Sequence, residues 1–71
     1  MKQKTFKIYM VIVDNEQEYE DYDEWIDRIY LSKESALKRI DRLNLRFRID
    51  FDSSYNIYLN TARLAIEEVY P

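Results

Sequence analysis

Seventy-one residues carry 11 basic and 14 acidic side chains, and there is no cysteine, histidine or glycine. Those absences exclude disulfides, thiolate and imidazole metal sites, nucleophilic triads and glycine-rich phosphate loops. One domain of this size buries only about 60% of the surface its unfolded chain exposes, so a dense aromatic core or self-association must stabilise it.

Eleven aromatics, seven of them tyrosine, favour the first stabiliser and permit the second. No apolar stretch approaches the ~20 residues of a membrane span. The charged start and the short, alternating run from Phe6 to Val13 do not read as a cleavable signal peptide. The expectation is a soluble cytoplasmic protein with no membrane partner and no cofactor.

Thr5 to Val13 reads as the first strand. Phe6, Ile8, Met10 and Ile12 share one face, and Lys7, Tyr9, Val11 and Val13 share the other. Both faces become apolar along its length, which is the pattern of a central or well-covered strand. Trp25 to Leu31 is expected to form a second strand, pairing antiparallel with the first.

Ser32 is a helix N-cap by type and position, and Glu34 in the first turn complements the helix dipole. Ala36, Leu37, Ile40, Leu43 and Phe47 then recur at spacings of three and four, marking one helix face. From Leu45 a rival alternation appears, with Leu45, Phe47, Ile49 and Phe51 set between charges. The helix either ends near Asn44 and hands over to a strand or runs to about Ile49; the longer is preferred, and the four cations Lys38, Arg39, Arg42 and Arg46 in its last half suit its negative end. Asp52 to Asn60 is expected to be a loop or short helix, and Arg63 to Tyr70 a closing strand, since a third strand adds much to a two-stranded hairpin. The fold class is therefore α+β: one domain over 1–71, in the order ββαβ, with an antiparallel sheet and one amphipathic helix on one face. The alternative is ββαα, with a last helix spanning Ser54 to Val69.

Between the first two strands lies an acidic run. Eight carboxylates and no cation fall between Asp14 and Asp27, so the remainder of the chain is net basic. Tyr19, Tyr22 and Trp25 repeat every three residues within the acid. Three chemistries fit. Glu16, Glu18, Glu20, Asp21, Asp23 and Glu24 are hard oxygen ligands of the type calcium and magnesium use, but the glycine and closing glutamate of a calcium loop are missing, so no metal is assigned. Paired carboxylates can catalyse glycosidic cleavage, but they need a dry pocket that raises one pKa, and a solvated loop on so small a domain does not supply one. The third fit is a docking surface, in which rings supply anchor area and carboxylates steer a cationic partner. Glu16, Glu18, Tyr19, Glu20, Asp21, Tyr22, Asp23 and Glu24 are its candidate residues. Trp25 is expected to be mostly core, as large aromatics usually are. Spaced carboxylates of this kind can also imitate the phosphates of a nucleic acid.

The helix offers an opposite surface. Lys38, Arg42 and Arg46 stand four apart with Arg39 nearby, a stripe that can hold phosphates, although a solvated helix face is the commoner outcome. Opposite charge on two surfaces also permits a symmetric dimer, or an acidic loop folded onto its own basic helix.

The helix entry Ser32-Lys33-Glu34-Ser35-Ala36 and the ending Ala65-Ile66-Glu67-Glu68-Val69, with the acidic aromatic loop before them, resemble small proteins encoded by phages and prophages of low-GC bacteria. The resemblance implies a class and assigns no site residue. Many such proteins are accessory factors that bind and alter a host protein, among them anti-defence inhibitors such as anti-CRISPR proteins. The expected function is a non-enzymatic module that blocks a basic host-protein surface. The alternatives are a nucleic-acid-binding accessory protein acting through the helix and a structural homodimer.

Overall fold

The computed structural model describes residues 4–17, 19–54 and 59–70, and at Tyr19 and Ser54 the backbone only. Three strands and one long helix follow in the order β1 (Phe6–Asp14), β2 (Glu24–Tyr30), α1 (Lys33–Ser54) and β3 (Thr61–Val69), with a single 3-10 turn (Tyr19–Asp21) between β1 and β2. The sheet is antiparallel throughout and its order is β2-β1-β3, so β1 is the central strand. This is the ββαβ arrangement; the alternative final helix is replaced by β3 over Thr61–Val69.

Cross-strand pairing divides the sheet into two faces. Val11 lies opposite Leu64, and Val13 opposite Ala62 and Trp25; these belong to the side that α1 covers. Val11, Val13, Ala36, Ile40 and Ala62 form the buried cluster, and Tyr9, Tyr30, Leu43, Phe47 and Leu64 pack around it. The other face carries Phe6, Ile8, Met10 and Ile12 of β1, Ile26 and Ile29 of β2, and Ala65 and Val69 of β3. A helix on one side of a three-stranded sheet is thin: the radius of gyration is 15.0 Å, against about 11 Å for a compact chain of this length.

β2 contains an irregularity that sequence alternation does not reveal. Ile12 pairs with Ile26 but Val11 pairs with Arg28, so Asp27 is an extra residue, a β-bulge. The bulge turns Trp25 and Tyr30 onto the same face although five positions separate them. It also aims Asp27 at α1, where its two carboxylate oxygens accept from Arg39 Nε at 2.8 Å and Nη2 at 3.1 Å. This fork-to-fork pair holds Asp27 below the usual carboxylate range, the hydrogen bond outweighing the opposing effect of burial.

α1 begins where expected. The Ser35 backbone N–H donates to Ser32 Oγ at 3.3 Å, and the Ala36 N–H to the Ser32 carbonyl at 3.2 Å. It ends later than either expected end, at Ser54, so Asn44, Ile49 and the start of the expected loop at Asp52 are all helical. The spacing Leu43, Phe47, Phe51 keeps one side partly buried, while the rival alternation leaves Leu45 and Ile49 in solvent. Arg46 pairs with Asp50 one turn on, which adds to the helical solution. Two expectations are thereby corrected. The last turn holds no basic residue, so the cations lie along the middle of the helix and do not cap its negative end. Leu37, expected on the packed face, is exposed, because the sheet is too narrow to meet that flank. The positions 55–58, including Tyr55 and Tyr58, lie outside the described residues.

Asn44 has a role that its type conceals. Its side-chain amide donates to the Ala62 carbonyl at 3.2 Å and accepts from the Ala62 N–H at 2.8 Å. It thus presents to the outer edge of β3 the same donor and acceptor that another strand would. α1 is tied to the sheet there, and one stretch of a free edge is closed.

Candidate functional site

The acidic connection is an ordered turn built around Asn15. Asp14 Oδ1 accepts from the Glu16 N–H at 2.8 Å, and Asn15 Oδ1 from the Gln17 N–H at 3.2 Å, two successive side-chain-closed turns of the kind Asp and Asn form. Asn15 Oδ1 also accepts from the Asp23 N–H at 3.1 Å, while its amide donates to the Asp21 carbonyl at 2.7 Å. A backbone bond from Asn15 N–H to the Asp23 carbonyl, 3.2 Å, closes the base. With no glycine available, Glu16 takes the left-handed position, at φ 54°. A non-glycine residue pays an energetic penalty there.

This turn points Glu16, Glu20, Asp21 and Asp23 into solvent. No ion pair involves any of the four among the described residues. Glu18 and the side chain of Tyr19 lie outside the described residues. Tyr22 and Trp25 flank the acid, 45% and 43% exposed. Trp25 was expected mostly in the core; it shares the covered side of the sheet with Val13 but sits at the end of an edge strand, beyond the reach of the helix.

Glu24 stands apart from its neighbours. Its Oε2 accepts from the Tyr22 hydroxyl and from Arg63 Nη2, the latter at 2.8 Å. Arg63 reaches there from β3 across the central strand, and its Nε lies 3.5 Å from Asp14 Oδ2. Two carboxylates, one phenol and one guanidinium thus form a clasp across all three strands, at the loop end of the sheet face that no helix covers. The bond to Glu24 raises the Tyr22 pKa above its usual value of 10.0. Bonding within the clasp likewise raises that of Arg63, first through Tyr22, then through Glu24 and Asp14. Among the described residues of the run, Glu16, Glu20, Asp21 and Asp23 therefore turn outward, whereas Glu24 is held by the chain's own groups. Arg63, the cation that binds it, was read only as a strand position; pairing across two strands carries no local sequence signal.

The helix stripe is partly committed as well. Arg39 is bound to Asp27, Lys38 lies 3.5 Å from Glu34, and Arg46 pairs with Asp50. Arg42 is exposed on the same side. Among the described residues, the carboxylates that meet the chain's own arginines are thus Asp14 and Glu24 at strand ends, Asp27 at the bulge within β2 and Asp50 on the helix.

Among the described residues no three carboxylates converge into a group that could hold a metal ion, and no helix is long and apolar enough to cross a membrane. An open depression at the far end of the sheet is lined by Phe6, Lys7, Tyr9 and Leu31. These side chains provide apolar surface and one cation. Comparison with protein-family models, with curated proteins and with solved structures finds no match to this chain.

Proposed function

We propose that this protein is a non-enzymatic binding module whose acidic turn occupies a basic surface of another protein. One observation carries the reading. Glu16, Glu20, Asp21 and Asp23 are exposed and, among the described residues, without ion pairs on a turn that Asn15 holds in one shape, with Tyr22 and Trp25 half-exposed beside them. A pre-organised turn has less conformational freedom to lose on binding than a mobile one. Carboxylates speed encounter with a cationic surface, and the rings supply apolar contact once it is reached. Glu24 acts in this reading through position: by anchoring Tyr22 and Arg63 it fixes the base of the turn.

The resemblance in the helix entry and the chain ending supports an inhibitor of the phage or prophage type, acting by occlusion inside the cell. The partner's basic surface would be one that otherwise holds nucleic acid, the carboxylates taking the place of phosphates.

The test is capture from a lysate of the source cell by the immobilised protein, beside a variant with Glu18, Glu20, Asp21 and Asp23 changed to Lys. A partner retained by the parent, released by rising salt and absent from the variant is the expected result. Equal retention by a variant of unchanged circular dichroism removes the turn from the interaction.

A further inference from the structure

The sheet face opposite α1 is apolar along its centre, and among the described residues no element covers it. Ile26 and Ile29 are 54% and 55% exposed there, and Leu31, just beyond β2, is 75% exposed. The row Ile29–Met10–Ala65 crosses the middle of the sheet, one residue from each strand. On one side of it lies the row Ile26–Ile12–Arg63, and on the other Ile8 opposite Glu67. On this face β3 therefore carries one cation and one anion, at equal distances from the midline, and Asp14 and Glu24 already bond the cation at the loop end.

The geometry points to a second copy of this chain as the occupant, packed face to face about a twofold axis that runs along the Ile29–Met10–Ala65 row. That operation lays each strand antiparallel over itself. It places Glu67 of the second copy over Arg63, Ile8 over Ile12, and Phe6 over the guanidinium that bonds Asp14 and Glu24. A twofold axis along the strands would instead put Arg63 over the apolar Ile26 edge, which leaves a charge against hydrocarbon. Charge complementarity thus selects one of the two arrangements. Arg63 keeps donors for a further carboxylate, because a guanidinium has five, and an aromatic ring can lie on its face.

The area suffices. Three strands about 4.8 Å apart and about 30 Å long give a footprint that, with side-chain relief, is of the order of 600 Å² per copy. Both copies together bury about 1,200 Å², the lower limit for a stable specific interface. The cost of staying single is the exposure of Phe6, Ile26, Ile29 and Leu31, set against six buried hydrophobic residues among those described. The arrangement is independent of what the acidic turn binds. It sends the two turns out at opposite ends of the pair, so both remain open to partners.

Sedimentation equilibrium of the full chain tests the proposal. The expected mass is twice 8.8 kDa for the parent. Ile29→Glu and Ile26→Glu, both at positions already half in solvent in the single chain, should each sediment at 8.8 kDa with the helical circular dichroism retained. Either variant suffices if the other fails to fold. Glu67→Lys, which sets a cation over Arg63, should weaken association by about tenfold or more. A parent chain of single mass at about 100 μM, or a dimer that persists in the folded glutamate variants, overturns the face. A dimer indifferent to Glu67→Lys overturns the choice of axis.

Discussion

The two faces of the sheet are built from the same kinds of residue and meet opposite surroundings. On one, Tyr9, Val11, Val13, Ala62 and Leu64 are closed over by Ala36, Ile40, Leu43 and Phe47. On the other, Phe6, Ile26 and Ile29 are about half in solvent, and Met10, between Ile29 and Ala65, is buried. The difference shows that apolar side chains on both sides of a central strand specify two covers, and that α1 provides one of them. The largest expected effect follows directly. Ile40→Ala removes packing from the covered side and should cost about 3 kcal/mol in chemical denaturation. Ile29→Ala, on the open side, should change the stability of the single chain by no more than about 0.5 kcal/mol and should show itself in association. Equal costs for the two would mean that the faces are alike and that the comparison is mistaken.

The next effect lies at the rim of the covered face. Asn44→Ala leaves the Ala62 N–H and carbonyl without their side-chain partner and unties the helix from the edge of β3. The cost should be about 2 kcal/mol, as for partly buried groups stripped of a partner. Amide exchange at Ala62 should quicken in proportion, whereas exchange at Ile29 should be unaffected by this substitution.

Much of this division could be read beforehand. The alternation in Phe6–Val13 and the 3–4 spacing from Ala36 to Phe47 gave the central strand, the helix and the ββαβ order. Asp14 and Asn15 are residue types that close turns on their own backbone, and both do so here. Three features were not legible, each because its cause is non-local. The bulge at Asp27 shifts the facing of β2 by one residue, and only its pairing with β1 reveals it. The helix outlasts Ile49 because Phe47 and Phe51 find partial cover and Arg46 finds Asp50, which defeats the two-residue period of Leu45 to Phe51. Arg63 meets Glu24 across 39 positions of chain, a distance at which charge pattern gives no guide.

A smaller effect tests the bulge that links β2 to the covered side. Asp27→Asn breaks the forked pair with Arg39 and should cost about 1 kcal/mol near neutral pH. Because the folded pKa of Asp27 is lowered, its contribution is fully present above the unfolded value of about 4 and is lost as pH falls through the lower folded value. The urea midpoint of the parent should therefore fall more steeply with acid than that of Asp27→Asn. Parallel acid limbs would mean that the pair does not survive in solution.

The smallest effect belongs to the open face, at its clasp. Tyr22→Phe deletes the phenol that donates to Glu24 and leaves Arg63 still bound to the same carboxylate. Neutral-pH stability should hardly change, since the bond is exposed to water. The signature is at alkaline pH. A pKa raised above 10.0 means that the Tyr22 contribution is present below about pH 10 and is lost as pH rises through the higher folded value. Spectrophotometric titration should therefore lose one late-ionising phenol in the variant. The same titration bears on the pairing of open faces. A second copy laid over the clasp would exclude water from Arg63 and Glu24 and delay the Tyr22 ionisation further. Dilution to the single chain, or Ile29→Glu, should bring that ionisation earlier. An ionisation unmoved by dilution would place the clasp outside any interface, even if the chain proves to be a dimer.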